Sequence, residues 1–564
     1  MSGLVLCLVW LLSFGSPQPE VDPRAFYDVQ TYRLDLKVDP ESRSLSGTVG
    51  IAAKVVVDRM ETFELDLLQG RQVTAVNVVD RAITPDSSMA GPRASFIHAN
   101  DRVICQLPQP ARKGDEVRVA VTYNFQPSST ERRSGIRFAK TPDGKPWITT
   151  SCQSLGAHSW WPCKGENFHP EDKHAHLFVN ATVPSGLFAV SNGRLLKRDS
   201  TAAGWETFHW RHDYPCEAYA VTLDVAPYVE VNGTVKDPGI AKPVLFSYYV
   251  LPQDLEKAKV QFADVQRMVE VYSQAFGPFP YPNSKFGLVQ VDFWGMEHST
   301  AVAYGNSWPA WLKTHPGPDP YATFNRLFDY ILIHECAHEW WGNAVSAADW
   351  GHLWLHEGFA TYAEAVYVEK VFGREEADRY MESLRPKVSP VFREFRGTGV
   401  LPSQAFSNNV YYKGAWILNT LRTYVNDDRV WWKALREFNM RFRYKNARTE
   451  DFQSVVEEVS GQSLQPFFLE WFYGDSYPAL KGTVSASGKK IVVDVENPEQ
   501  HGTGFHVPLD IQWQENGAVR GKRVMLNPGS NRVDIPCQSE PIGMKLISLN
   551  RILGSHQVTV EPQK

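Results

Sequence analysis

The chain has 564 residues, a formal net charge of −5 and 43% apolar residues. At about 150 residues per domain that length predicts roughly three or four domains, with enough apolar material for a large core. So weak a charge, with no Lys- or Arg-rich run, excludes an extended nucleic-acid surface.

Leu4 to Leu12 is an unbroken apolar run, too short to span a bilayer. Ser13-Phe14-Gly15 follows as a small-x-small site. Residues 1–15 are therefore expected to be a cleaved export signal, although no Lys or Arg precedes Arg24. The matching expectation is a periplasmic or secreted protein with no membrane span in the mature chain. Cys7 would leave with the signal. Cys105, Cys152, Cys163, Cys216, Cys336 and Cys537 are too sparse for a disulfide framework.

Residues 16–251 read as a large N-terminal β domain. Val29 to Val38 and Ser46 to Val55 alternate, as does Val117 to Tyr123, and Gly, Pro, Asn and Asp clusters punctuate them. Aromatic residues make up 12% of the chain, with 18 Trp, and deep packing is the expected use of most of them. At Pro252 the period changes. Asp254 to Tyr272 has apolar residues at three- and four-residue spacing, with Asp254 placed to cap a helix. Gly277-Pro-Phe-Pro-Tyr-Pro ends it, and Phe286 to Val291 reads as a strand leading into Phe293-Trp294-Gly295-Met296-Glu297-His298. Residues 252–477 form the expected catalytic domain. From Pro478 to 564 the period returns to two, with Asn516-Gly517 as a hairpin turn, which predicts a small C-terminal β-sandwich.

The chemistry is densest between Ile331 and Phe372. His334 and His338 are four residues apart, so on a helix both imidazoles share one face and reach one metal ion. Glu335 lies between them and can face the ion's open position. Glu357 follows nineteen residues after His338, where a second helix can bring it in as a third ligand. Two imidazoles, one carboxylate and a water make a four-coordinate site suited to a single Zn2+. The first helix is expected from Tyr321 to about Asn343, started by Asp319-Pro320, and the second from about Leu353 to Phe372. Glu364, two turns after Glu357, either accepts a hydrogen bond from a ligating histidine or lies at the surface.

These two segments resemble the gluzincin zinc aminopeptidases, the group that contains aminopeptidase N and leukotriene hydrolase. The likeness covers most of residues 25–475. It implies a multidomain α+β fold in which a thermolysin-like, mostly helical catalytic domain follows the β domain. It also implies removal of amino-terminal residues from peptides that have a free N-terminus. Within it, Glu335 is the general base. Gly295-Met296-Glu297 resembles the family's Gly-x-Met-Glu-Asn segment, in which Glu297 holds the substrate's α-amino group and the glycine lets a peptide backbone approach. Tyr411-Tyr412-Lys413-Gly414-Ala415 resembles Tyr-x-Lys-Gly-Ala and selects Tyr411 as the oxyanion donor. Gln153, before the Trp160-Trp161-Pro162-Cys163 turn, matches a glutamine beside the substrate N-terminus, while Glu166 reads as part of a plain turn. The chain departs from the pattern at His298 and His356, where the family usually has Asn, and at Cys336, where a small or apolar residue is usual. An epoxide-type substrate and a catalytically silent binding ectodomain are the alternative functions.

Overall fold

The computed structural model describes residues 21–127, 135–152, 156–165, 172–305, 308–313, 328–389 and 407–561. Residues 1–15, read as an export signal, together with Gln153, Glu166 and the expected Asp319-Pro320 helix start, lie outside the described residues.

The N-terminal strands form three sheets. The largest has seven strands, and Tyr27–Asp39 lies at its heart, antiparallel to Ser44–Val55 and parallel to His176–Pro184. Alternation explains the register. Leu34 and Leu36 point inward with Val49 and Ile51, all buried, while the residues between them line the other face. Four- and three-stranded sheets close the core. Nine tryptophans are among the largest fully buried side chains, including Trp160, Trp161, Trp340 and Trp341, so packing accounts for much of the aromatic content.

A five-stranded sheet links the β region to the helices. In order it contains Val229–Val235, Val244–Val250, Lys285–Val291, Val302–Gly305 and Gly295–Met296. Strands on both sides of residue 251 therefore share one sheet, with Leu245–Tyr249 parallel to Lys285–Val289. Among the described residues Gly295–Met296 is the edge strand, paired with Tyr304 and Ala303.

The helical pattern after Pro252 folds as Leu255–Gln261 and Val265–Phe276, joined by a 3-10 turn. Asp254 does not cap the first of these. Its buried carboxylate instead accepts from Gln290 Nε2 at 2.8 Å and Lys257 Nζ at 2.6 Å, because Gln290 is fully buried in the adjoining strand and needs an acceptor.

The histidine helix runs from Tyr330 to Ala337 and does not reach Asn343. The chain turns at once: Trp340 and Trp341 N–H both donate to Ala337 O, and Gly342 takes φ +128°. His338 keeps right-handed helical dihedrals, so the i, i+4 alignment survives the early stop. The glutamate helix spans Trp354–Phe372 and stops at Gly373, with φ +97°. The tyrosine helix, Asn408–Val425, is opened by Ser407, whose side chain accepts from Asn409 N–H.

Residues after Pro478 form two sheets, one of four strands and one of three. Asn516 and Gly517 turn the hairpin between Val507–Glu515 and Ala518–Leu526 with φ of +50° and +78°, the left-handed pair that a two-residue hairpin needs. No helix among the described residues is long and apolar enough to cross a membrane.

Candidate active site

His334, His338 and Glu357 come together as the spacing predicts. One donor atom from each lies within 4.8 Å of the others, and all three residues are buried. Second-layer contacts fix both rings. His334 Nδ1–H donates to Glu364 Oε1 at 2.6 Å, and His338 Nδ1–H donates to the Trp341 carbonyl at 2.8 Å. Both Nε2 atoms then face inward, 3.3 Å apart and 3.3 and 3.4 Å from Glu357 Oε2. Glu364 is thus a buried partner of a ligating ring, and its other oxygen accepts from Tyr380 OH. Two nitrogens and a carboxylate oxygen, held by their outer bonds and aimed at one point, fit zinc.

The electrostatics favour a cation. Burial opposes charge on His338, but the Glu357 and Glu297 carboxylates outweigh it and raise its pKa to about 9. His334 is raised as well, by Glu357 and Glu364 against the same burial. Burial would push Glu357 up, yet His338 and His334 hold it well below the usual carboxylate range. Glu335 moves the other way: burial raises it to about 7 against the pull of the two histidines.

Glu297 and Glu335 lie beside this cluster. With His338 they form a second group whose donor atoms are all within 4.8 Å of one another. Glu297 is 4% exposed, and burial raises its pKa. Met296, the residue before it, is buried. Gly295 has a role that backbone approach alone does not capture. A Cβ there would lie 2.5 Å from Glu335 Oε1 and 2.7 Å from its Cγ, so the space a side chain needs is filled by Glu335.

Tyr411 arrives from the tyrosine helix. Its ring stacks against His334 with centroids 6.1 Å apart and planes 22° apart. Burial, then the Glu357 and Glu297 carboxylates, keep its phenol protonated well above the ordinary value. The approach depends on two glycines. A Cβ on Gly414 would sit 2.8 Å from the Gly358 Cα, and one on Gly358 would sit 2.9 Å from the Gly414 Cα. Gly358 follows Glu357, and Gly414 lies three residues after Tyr411, so this crossing brings ligand and phenol to one place.

Three partners were not legible in the sequence. His356 Nε2 accepts from Ala347 N–H at 2.8 Å, which leaves Nδ1–H to donate to Tyr219 OH at 3.3 Å. Asn343 Nδ2 donates to the Glu297 carbonyl at 2.9 Å. Lys173, from the β region, donates to Asn343 O at 2.8 Å. Asn343 lies just beyond the Trp340-Trp341-Gly342 run, and that position was the one available signal. His298, where the family usually has Asn, is fully buried, and burial lowers its pKa to about 3.

Family comparison agrees with this geometry. Residues 28–220 match the peptidase M1 N-terminal domain and residues 260–471 match the peptidase family M1 domain. The chain is 24% identical to glutamyl aminopeptidase of Rattus norvegicus over 94% of this chain and 56% of that protein. It is 25% identical to leucyl aminopeptidase of Saccharolobus solfataricus over 66% of this chain and 46% of that one. It thus spans about half the length of these curated relatives. Among solved structures, an M1 zinc metallopeptidase from Deinococcus radiodurans has the same fold, with a TM-score of 0.65 at 24% identity, covering 80% of this chain and 94% of that one. A variant of that enzyme has been solved with a Tyr-Ser-Ala substrate. With both its β region and its helical region matched, the chain belongs to peptidase family M1.

Proposed function

We propose that the protein is a zinc-dependent aminopeptidase that removes single residues from the free amino terminus of peptides. The observation that carries this reading is the placement of Glu297 beside the His334–His338–Glu357 donors and the Glu335 carboxylate. Zinc held by the three donors supplies Lewis acidity toward a carbonyl and a water. Glu335 accepts a proton from the attacking water and delivers it to the leaving amine. Glu335 sits beside the metal donors within reach of both the water and the leaving amine, which is the placement a proton shuttle needs. Tyr411 O–H donates to the developing oxyanion, a contact typically worth about a hundredfold or more in rate. Glu297 binds the ammonium group of the substrate, a task for which the family resemblance also offers Gln153. Only a chain that begins with a charged amine then presents its first peptide bond to the metal. The open edge at Gly295–Met296 gives the substrate backbone a strand to pair with.

We further propose that residues 1–15 are an export signal. The support is the apolar run Leu4–Leu12 followed by small residues. Sequencing the amino terminus of the mature protein tests this: a start at or near Ser16 is expected, and retention of Met1 would overturn it.

The activity is tested with zinc-loaded protein, a panel of aminoacyl arylamides and peptides, and mass analysis of the products. Stepwise loss of amino-terminal residues, abolished by chelation and restored by zinc, is the expected result. Internal cleavage, or turnover of an epoxide with none of a peptide, would overturn it.

A further inference from the structure

Glu297 must point at the substrate amine, yet the sheet does not hold it. Among the described residues the edge strand pairs Gly295 with Tyr304 and Met296 with Ala303, and this ladder ends one residue before Glu297. Beyond it the chain turns sharply: His298 N–H bonds back to Met296 O, Ala301 N–H to His298 O, and Thr300 takes φ +58°. A backbone released from its ladder inside a turn needs another anchor to fix its direction.

Asn343 supplies that anchor. It is 3% exposed, and its Nδ2 donates to the Glu297 carbonyl at 2.9 Å. Its own position is fixed on two sides. Its N–H donates to the carbonyl of the ligand His338 at 2.9 Å. Its carbonyl accepts from Lys173 Nζ, which also donates to Ser346 Oγ at 2.5 Å. The same turn carries the Trp341 carbonyl that orients the His338 ring and the Ala347 N–H that meets His356, next to Glu357. One short turn, Trp341 to Ala347, therefore touches His338, the neighbour of Glu357 and the backbone carbonyl of Glu297.

We propose that Asn343 is a positioning residue for amine recognition. By holding the Glu297 peptide carbonyl it fixes the separation between the Glu297 carboxylate and the metal donors, so the place of the amine and the place of the scissile bond are set by one turn. This rests on the aminopeptidase reading above. Loss of the side chain leaves the buried Glu297 carbonyl without its donor and lets the Glu297 backbone rotate, while the outer bonds that orient His334 and His338 persist.

The test uses the full zinc-loaded chain with Asn343→Ala and Glu297→Gln, singly and together. Zinc content and KM and kcat for an aminoacyl arylamide are measured. So is the affinity for two hydroxamates, one from an amino acid with a free α-amine and one of the same shape without it. Asn343→Ala is expected to raise KM and weaken the amine-bearing hydroxamate about tenfold, the scale of one hydrogen bond lost to a buried group. Zinc content and affinity for the amine-free hydroxamate should stay as in the parent. The double variant should be no worse than Glu297→Gln alone, since both changes act through one carboxylate. Equal weakening of both hydroxamates, or full additivity in the double variant, would overturn the proposal. If the alanine variant does not fold, Asn343→Ser, whose hydroxyl is too short to reach the carbonyl, carries the same expectations. A parent that hydrolyses no aminoacyl arylamide would overturn the function itself, and that result is read from the parent alone.

Discussion

Gly358 and Gly414 meet at the crossing of the glutamate and tyrosine helices, so close that a Cβ on Gly414 would lie 2.8 Å from the Gly358 Cα. Each sits near a functional side chain, Glu357 on one helix and Tyr411 on the other. The pair converts helix packing into site geometry, because the separation of Glu357 and Tyr411 is set where no side chain intervenes.

Gly414→Ala should therefore act on both stability and turnover. The added methyl meets backbone, which cannot rotate away, so the helices must part. Overpacking of this kind costs about 1–3 kcal/mol. The expected outcome is a lower Tm together with a fall in kcat larger than any change in zinc content. Calorimetry and single-substrate kinetics check it.

Gly295 and Glu335 form a second such pair. Gly295→Ala puts a methyl where the Glu335 carboxyl now lies, 2.5 Å from Oε1. Its kcat should fall toward that of Glu335→Gln, which keeps the zinc donors and removes the proton acceptor. General-base loss is typically worth about a hundredfold to ten-thousandfold in rate. Zinc content of both variants should match the parent, as read by atomic absorption.

Glu364→Gln weakens the outer partner of His334 without touching a donor to the metal. Such partners are typically worth about ten- to a hundredfold in metal affinity. Competition with a chelator should show zinc lost at a lower chelator concentration than for the parent, with near-parental kcat once zinc is in excess.

Acid should destabilise the fold through buried histidines away from the metal donors. Burial, with nearby Lys173, lowers the His174 pKa to about 3, and burial, with His174 and Lys285, does the same for His212. Above their ordinary value of about 6.5 these rings are neutral folded or unfolded, so they add no pH dependence. As pH falls below 6.5 the unfolded chain takes up protons that the fold refuses. Stability then drops by about 1.4 kcal/mol per pH unit per histidine until the folded pKa is reached. His212 packs against Tyr214 and Tyr281, with ring centroids 5.9 and 5.6 Å away, so His212→Phe should be accommodated. Denaturant midpoints for parent and variant, measured from about pH 8 down to about pH 5, should converge at the alkaline end and favour the variant in acid.

Local spacing made the metal donors legible. A four-residue interval on a helix fixes two imidazoles regardless of what surrounds them, and it held even though the helix ended at Ala337. The hairpin at Asn516-Gly517 was readable for the same reason, since its positive φ values are a local demand. Contacts between distant segments were not. Gly358 and Gly414 each stood inside a recognisable segment, but nothing in either says that the two touch. Asn343 and Lys173 are ordinary polar residues until the fold brings the Glu297 carbonyl to one and the Gly342–Ala347 turn to the other. Asp254 shows the converse. It stood at a helix start with capping chemistry, and a buried glutamine took its carboxylate instead.

The most direct measurement compares a peptide with a free amino terminus and its N-acetylated twin, for the parent and for Glu297→Ala. The parent is expected to cleave the free peptide at its first bond and to spare the acetylated one. Glu297→Ala, with zinc retained, should lose most of that preference through a raised KM on the free peptide. Equal cleavage of the free peptide by parent and variant would contradict the role assigned to Glu297, and with it the reason this metal site acts from the end of a chain.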